Sequence, residues 1–448
     1  MNRTSFLICA AGALVALAVP HSGAAQAPLY SIINVNEVSQ YVIPASINDN
    51  DQIAGIVPAL QQGFIWMPGL PSTGFDSVTN YEGLGINNFG VIGGYFIGAD
   101  TLAHASHWTP TSYLSATYTR TEDDTSQSAL NAINDDGFAS GYQVVGGVTG
   151  ALLLNTASGS HTSVGANTRA AAVNNVYEDI AGSDGSAAFW ADPLLAGPVL
   201  DLPGGLFGGV TFTGTGSATG ISDADDVVGA AIVAGGTNEH GLTEAFAWNG
   251  YTQTAYGPLG FLHGTTFSKA NAINSVTGEV VGQSGTHAFL WQGDITNPST
   301  GTMTDMNALV ERGSGWLLTS ALAVNSGGDI VGTGYYQNKP AGWIGIPTVP
   351  TALALDSNSW SQSSSGSITG TVTFTHAAPF DLGCTVSLYN ESTGTYSTGT
   401  GTRVLSGSTV ATFRIPMPAS PVVTIPEAYL VKLTFGGWRL YAPMVLTP

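Results

Sequence analysis

The sequence predicts an all-β fold: a seven-bladed β-propeller closed by an N-terminal strand and followed by a β-sandwich. Three observations carry this prediction. A short motif recurs seven times at intervals of 39 to 52 residues, the period of a blade repeat built from short strands. A second element, Ala-Phe-x-Trp, follows it in most copies. Beyond residue 350 the motif stops, and a Ser/Thr-rich stretch alternates at period 2.

The repeated motif is a small residue, then Ile or Val, usually Asn, a polar turn and a strand ending in Gly. Its copies are Ser46-Ile47-Asn48 to Gly55, Gly85-Ile86-Asn87 to Gly93, Ala132-Ile133-Asn134 to Gly141, Ala172-Val173-Asn174 to Gly182, Gly220-Ile221-Ser222 to Gly229, Ala272-Ile273-Asn274 to Gly282 and Ala323-Val324-Asn325 to Gly332. Small side chains at one fixed depth are what the innermost strand of a propeller needs, because the strands crowd near the axis. The Asn/Asp/Gly/Ser turns that follow bond their own backbone and tolerate positive φ, which marks a hairpin into the second strand.

The third strand carries Ala245-Phe246-Ala247-Trp248, Ala288-Phe289-Leu290-Trp291 and variants ending at Trp66, Trp108, Trp190 and Trp343, with Leu154 in the third copy. Six of the nine tryptophans are thereby assigned one repeat position, and indoles in register are read as inter-blade packing. A fourth strand follows in most copies, as in Val199 to Leu202 and Met303 to Met306, but Pro347 and Pro350 interrupt the seventh. The segment Ile32 to Asn36 reads like the missing strand, so the expectation is a ring closed by the N-terminus over residues 28–347.

Residues 1–25 have the layout of a secretory signal peptide: a basic start, an apolar run from Phe6 to Val19, and small residues between 24 and 27 for cleavage. The mature chain is therefore expected to be secreted, extracellular or periplasmic. No other apolar run is long enough to span a membrane, so membrane insertion is not expected. Cys9 leaves with the leader, so Cys384 has no intrachain partner and is read as a core thiol on an alternating strand.

Net charge is −20, and 26 of the 30 acidic residues lie between positions 28 and 347 with 5 basic ones. Such a surface repels phosphate backbones and anionic membrane surfaces, so a nucleic-acid partner is not expected.

Residues His287-Ala288-Phe289, with Ile273-Asn274 and Val280-Val281-Gly282 before them, resemble the bacterial extracellular HAF-repeat family. The stretch from Asp305-Met306-Asn307 through Gly315-Trp316 to Ala323-Val324-Asn325 resembles that family's last repeat. The resemblance spans roughly residues 29–346. It implies secretion and a propeller-like fold, and it carries over no catalytic residue. Only the sixth copy keeps the His, which argues against a shared functional role for it. Residues 351–448 are similar to bacterial Ig-like modules, without the paired cysteines of antibody domains.

Sequence motifs for chemistry are absent. There is no nucleophile elbow, no zinc spacing and no phosphate-binding glycine loop. Asn48 to Asp51 and Ser222 to Asp226 cluster oxygen ligands as a structural calcium would require, but neither has the Gly and distal Glu of an EF-hand, so the reading is turn chemistry and no cofactor. Departures from the repeat consensus point to His104 and His107 beside an insertion at 98–104, and to Glu239 and His240 in an insertion at 234–240, as ligand-binding candidates. The expected function is a non-enzymatic binding or surface-interaction protein for an extracellular glycan, other polymer or protein. The alternatives are a carbohydrate hydrolase or lyase with acids from different blades, and a structural envelope or matrix protein.

Overall fold

The computed structural model describes residues 30–36, 41–67, 70–76, 80–112, 117–194, 199–202, 205–207, 210–233, 242–310 and 313–347, and beyond 354 a set of strands between 355 and 446. The proposed signal peptide, Glu239 and His240 lie outside the described residues. Among the described residues helix is confined to two three-residue 3-10 segments, Pro298–Thr300 and Met306–Ala308.

Seven antiparallel sheets follow one another, one per repeat, making a seven-bladed propeller. Their inner strands are Ile43–Ile47, Tyr81–Ile86, Ser128–Ile133, Arg169–Val173, Val210–Ile221, Ser268–Ile273 and Trp316–Val324, and each ends at the Ile or Val of the motif. Blade five carries an extra strand, Gly205–Phe207, paired to Val210–Ile221. The outermost strand of blade seven is Tyr30–Asn34, antiparallel to Lys339–Pro347 with Tyr30 opposite Pro347 and Asn34 opposite Trp343. Beyond residue 354 two sheets are present: Leu355–Gln362, Ser367–Phe374 and Val410–Pro416 in one, and Thr395–Thr398, Leu382–Asn390, Glu427–Phe435 and Trp438–Leu446 in the other.

Every blade has a β-bulge at the same place on its inner strand. The register slips between Pro44 and Ser46, Gly83 and Gly85, Leu130 and Ala132, Ala170 and Ala172, Ala218 and Gly220, Ala270 and Ala272, and Ala321 and Ala323. The extra residue bends the strand and turns a carbonyl toward the second strand. A Cβ on the facing glycine would collide with that carbonyl, as at Gly282 against the Lys269 oxygen and Gly229 against the Ser217 oxygen. In blade two the glycine under this constraint is Gly94, facing the Glu82 oxygen, and not Gly93 as the motif spacing suggests; Gly93 lies beyond the bulge, opposite Gly85.

Registers also correct the tryptophan assignment. Trp66, Trp108, Trp248 and Trp291 share one position, opposite Ile53, Ile92, Val227 and Val280, and Leu154 takes it in blade three. Trp190 follows Phe189 directly, so it points from the opposite face and packs with Phe246 and Trp248 of the next blade. Trp343 lies opposite Gly332, where blades one, four, five and six have Phe, and Gly345 holds the tryptophan position. Four tryptophans, not six, are therefore in register. Their role is packing: Trp108, Trp248 and Trp291 are fully buried, and each sits in a cluster with residues of the preceding blade.

The asparagine of the motif forms a belt around the axis. Its side-chain amide donates to the backbone oxygen of the next blade's asparagine: Asn48 to Asn87 at 2.7 Å, Asn87 to Asn134 at 2.9 Å, Asn134 to Asn174 at 2.9 Å, Asn274 to Asn325 at 2.9 Å, and Asn325 back to Asn48 at 3.2 Å. Each side-chain oxygen meanwhile accepts backbone N–H groups of its own turn, as Asn87 does from Phe89 and Val91. Where Ser222 replaces Asn, Asn174 reaches the Asp225 carboxylate instead, at 2.9 Å. Both ends of a buried amide are thus satisfied, and losing one leaves buried backbone groups unpaired in two blades. Asn134→Ala is expected to lower stability by about 1–3 kcal/mol, measured by urea denaturation, whereas Asn131→Ala, which removes a single bond to the Ala170 oxygen, costs less.

Candidate functional site

Four side chains were singled out by sequence, and the structure places two of them. His104 and His107 lie on the strand Ala103–Pro110 and, three residues apart, project to opposite faces of the blade-two sheet. They do not converge. His104 sits between two carboxylates, with Nδ1 2.8 Å from Glu122 Oε1 and Nε2 3.0 Å from Asp100 Oδ1. His107 Nδ1 is 2.9 Å from both oxygens of Asp123, and both side chains are buried. The proposed insertion is shorter than the sequence suggests: Gly98 to Leu102 form the turn, and His104 already belongs to the third strand.

Register shows what His104 is. Ser106 faces Gly94 as Phe289 faces Gly282, which makes His104 the counterpart of His287. Glu122 faces Ser106 as Asp305 faces Phe289, and His287 Nδ1 is 2.7 Å from Asp305 Oδ2. The His is therefore kept in two copies, not one, each time clamping the third strand to an acid of the fourth. The Phe-to-Ser change in blade two hid this from the motif.

Two concavities deserve comparison. The first is the central channel, about 190 Å³, lined by the seven bulge segments with Ala45, Leu84, Asn131, Ala171, Thr219 and Asn271 among them. Its polar side chains are committed to the neighbouring blade: Asn131 to the Ala170 oxygen at 2.6 Å, Thr219 to Ala270 and Asn271 to Ala321, both at 2.7 Å. The second is a groove of about 760 Å³ between the outer strand Tyr30–Asn34 and the segment from Leu309 to Trp316. Its lining is mainly apolar, with Ile32, Leu309 and Val310, and includes Trp316 and Tyr336, whose rings lie 4.9 Å apart and inclined at 39°. No carboxylate is among the described residues that line it.

The acidic turns hold one another. The backbone N–H of Asp49 donates to Asn88, that of Asn88 to Asp135, that of Asp135 to Asn175 and that of Asn175 to Asp223. Asp49 in turn accepts from Ser326 at 2.9 Å. Burial pushes the Asp135 carboxyl up to about 6, helped by the charges of Asp49 and Asp223 and opposed by the Asn88 N–H. Among the described residues no three His, Cys, Asp or Glu side chains are grouped to hold a metal ion. No helix among them is long and apolar enough to cross a membrane.

No protein-family model matches the chain, and no curated protein matches it. Among solved structures it is similar to a chain of "Crystal Structure of Mitotic Checkpoint Complex", with 9% identity, 78% of this chain and 99% of that chain covered, and a TM-score of 0.44. The propeller assignment rests on the seven sheets themselves.

The carboxylate of Glu122, and after it that of Asp100, holds the His104 imidazole above its ordinary value of 6.5 against the opposing effect of burial. A raised histidine contributes stability that is full below 6.5 and lost as pH rises through the higher folded value. Proton NMR of the His104 ring is expected to show titration above 6.5, and Glu122→Gln is expected to bring the midpoint down.

Proposed function

We propose that this chain is a secreted, non-enzymatic recognition protein whose ligand is an extracellular glycan, bound in the groove beside Trp316 and Tyr336. In this reading the ring is held shut by the pairing of Tyr30–Asn34 with Lys339–Pro347, and the strands beyond residue 354 form an Ig-like sandwich that acts as a spacer. The HAF-like pattern and the leader-like N-terminus support secretion.

The observation that carries the reading is the contrast between the two concavities. At about 190 Å³ the channel is smaller than ordinary ligand sites, and its polar groups are already bonded across blades. The groove, at about 760 Å³, has the volume of a ligand site, partly buried aromatic rings on which a sugar face stacks, and the hydroxyls of Ser31 and Ser314 at its margin. Glycoside hydrolysis needs two carboxyl groups flanking the bond to be cleaved, and the described lining supplies none.

The test is a polysaccharide and glycan panel read by affinity and then by product analysis. The expected result is binding without a change in product, weakened about tenfold or more by Trp316→Ala or Tyr336→Ala. Cleaved product would replace this reading with the hydrolase or lyase. Binding that ignores both substitutions would move the site off the groove.

A further inference from the structure

The seven belt turns share one backbone device. The residue before the closing position is left-handed in every one: Asp51, Gly90, Gly137, Glu178, Asp225, Gly278 and Gly328, with φ between 57° and 84°. Aspartate stands there only in blades one and five. In each case the closing residue of the preceding blade is also an aspartate: Asp329 of blade seven behind Asp51, and Asp179 of blade four behind Asp225. Aspartate is costlier than glycine at positive φ, so its recurrence opposite a second aspartate asks for a reason.

The geometry makes each couple a carboxyl pair across a blade seam. Asn325 Nδ2 is 3.1 Å from Asp329 Oδ2 and 3.4 Å from Asp51 Oδ1, so both carboxyls bracket one amide nitrogen. At the other seam Asn174 donates to Asp225 Oδ1 at 2.9 Å and accepts the Asp179 N–H at 3.0 Å. All four side chains are buried, at 0% and 2% exposure for Asp329 and Asp51 and 2% and 5% for Asp179 and Asp225. Asp329 and Asp179 each keep one buried carboxyl oxygen, Oδ1, with no hydrogen-bond donor.

The charges around the pairs have one sign. Asp49 acts on the first pair, and Tyr30, packed on the same seam, faces Asp329 and Glu279. Asp192 and Glu178 act on Asp179, and Asp226 and Asp192 on Asp225. No Lys, Arg or His is among the principal groups acting on either pair. Two like charges desolvated together without a cation do not both ionise.

We infer that each seam holds one proton shared between its two carboxyls, so that the 4/5 and 7/1 seams are proton-locked and the ring loosens as the medium becomes alkaline. Burial, followed by contact with Asp225, carries the Asp179 carboxyl up to about 9, and burial with Asp51 beside it raises Asp329 well above the carboxylate range. The pairs titrate as units rather than as single residues. The folded state holds these protons where the unfolded chain has released them. The stability that these protons contribute is therefore full below about pH 4 and is lost as pH rises toward the folded values, by about tenfold in the unfolding equilibrium per pH unit for each proton held.

The experiment is urea denaturation of the full chain between pH 5 and 8.5, with and without a chelator. Asp329→Asn and Asp179→Asn each place a permanently neutral amide where the shared proton sat. Each is expected to flatten the pH slope by about tenfold per unit, and the double variant by about a hundredfold. Slopes equal to wild type in both single variants would overturn the inference, since a purely structural role lowers stability without changing the slope. A wild-type slope that disappears with chelator would also overturn it, by making the shared group a cation. Should one variant fail to fold, the other seam and the wild-type slope still decide.

Discussion

Everything near the axis depends on a buried asparagine amide that serves two blades at once. The inner strand ends at this residue, and in blades one, two, three, six and seven its carbonyl accepts the N–H of the left-handed residue of its own turn, which leaves a second lone pair of a buried oxygen to satisfy. The neighbour's amide supplies the second donor and so ties the two blades together, and its own side-chain oxygen caps the turn behind it. Belt bonds stay between 2.7 and 3.2 Å from Asn48 through Asn87 and Asn134 and on from Asn274 through Asn325, although 39 residues separate one linked pair and 51 another. The fixed quantity is the inter-blade spacing at the axis. Extra residues go outward, into the turns and outer strands, where they disturb no belt contact.

The bulge follows from the same crowding. Seven inner strands meeting at an axis must bend, and an extra residue in each achieves this at the expense of a carbonyl turned into the sheet. Glycine opposite is then forced, and the small residues just beyond the bulge, Ser46, Gly85, Ala132, Ala172, Gly220, Ala272 and Ala323, line the narrow channel. A channel built in this way has little room for catalytic groups, because its polar side chains span seams. The larger concavity is on the outer surface, in the groove beside Tyr30–Asn34.

Much of this was legible in the sequence, and what was not has a common cause. The repeat count, the inner-strand ends and the small residues at the axis could be read because each is a composition at a fixed depth. Registers could not. Period-2 alternation reports which face a residue shares, but a one-residue slip between strands exchanges the faces without changing the composition. That is why Trp190 and Trp343 look like members of the tryptophan set, why Gly93 stands in for Gly94, and why composition places His104 at the end of an insertion and does not reveal it as the third-strand counterpart of His287. The belt itself was half visible: the Asn recurred, but its partner is a backbone atom of the next repeat, which no side-chain pattern reveals.

The slips and the acid pairs occur in the same two blades. Blades four and seven are the two whose third strand lacks a large residue at the tryptophan position, with Ala191 opposite Ile180 and Gly345 opposite Ile330. They are also the two whose belt turn closes on the buried acids Asp179 and Asp329, next in sequence to those same isoleucines. In blade one the same place is occupied by Trp66 opposite Ile53, and the closing residue is the neutral Gln52, which bonds Asn48 and Met67. In blade seven Tyr30 approaches Gly345, and in blade four Trp190 lies on the far face, toward the Asp225 seam. Two kinds of blade therefore share one belt. Five close their turns on groups that form no carboxyl pair with the next blade, and two close on a carboxyl that meets its counterpart across the seam, so these two joints add to the response to pH that Asp135 and His104 give elsewhere in the ring.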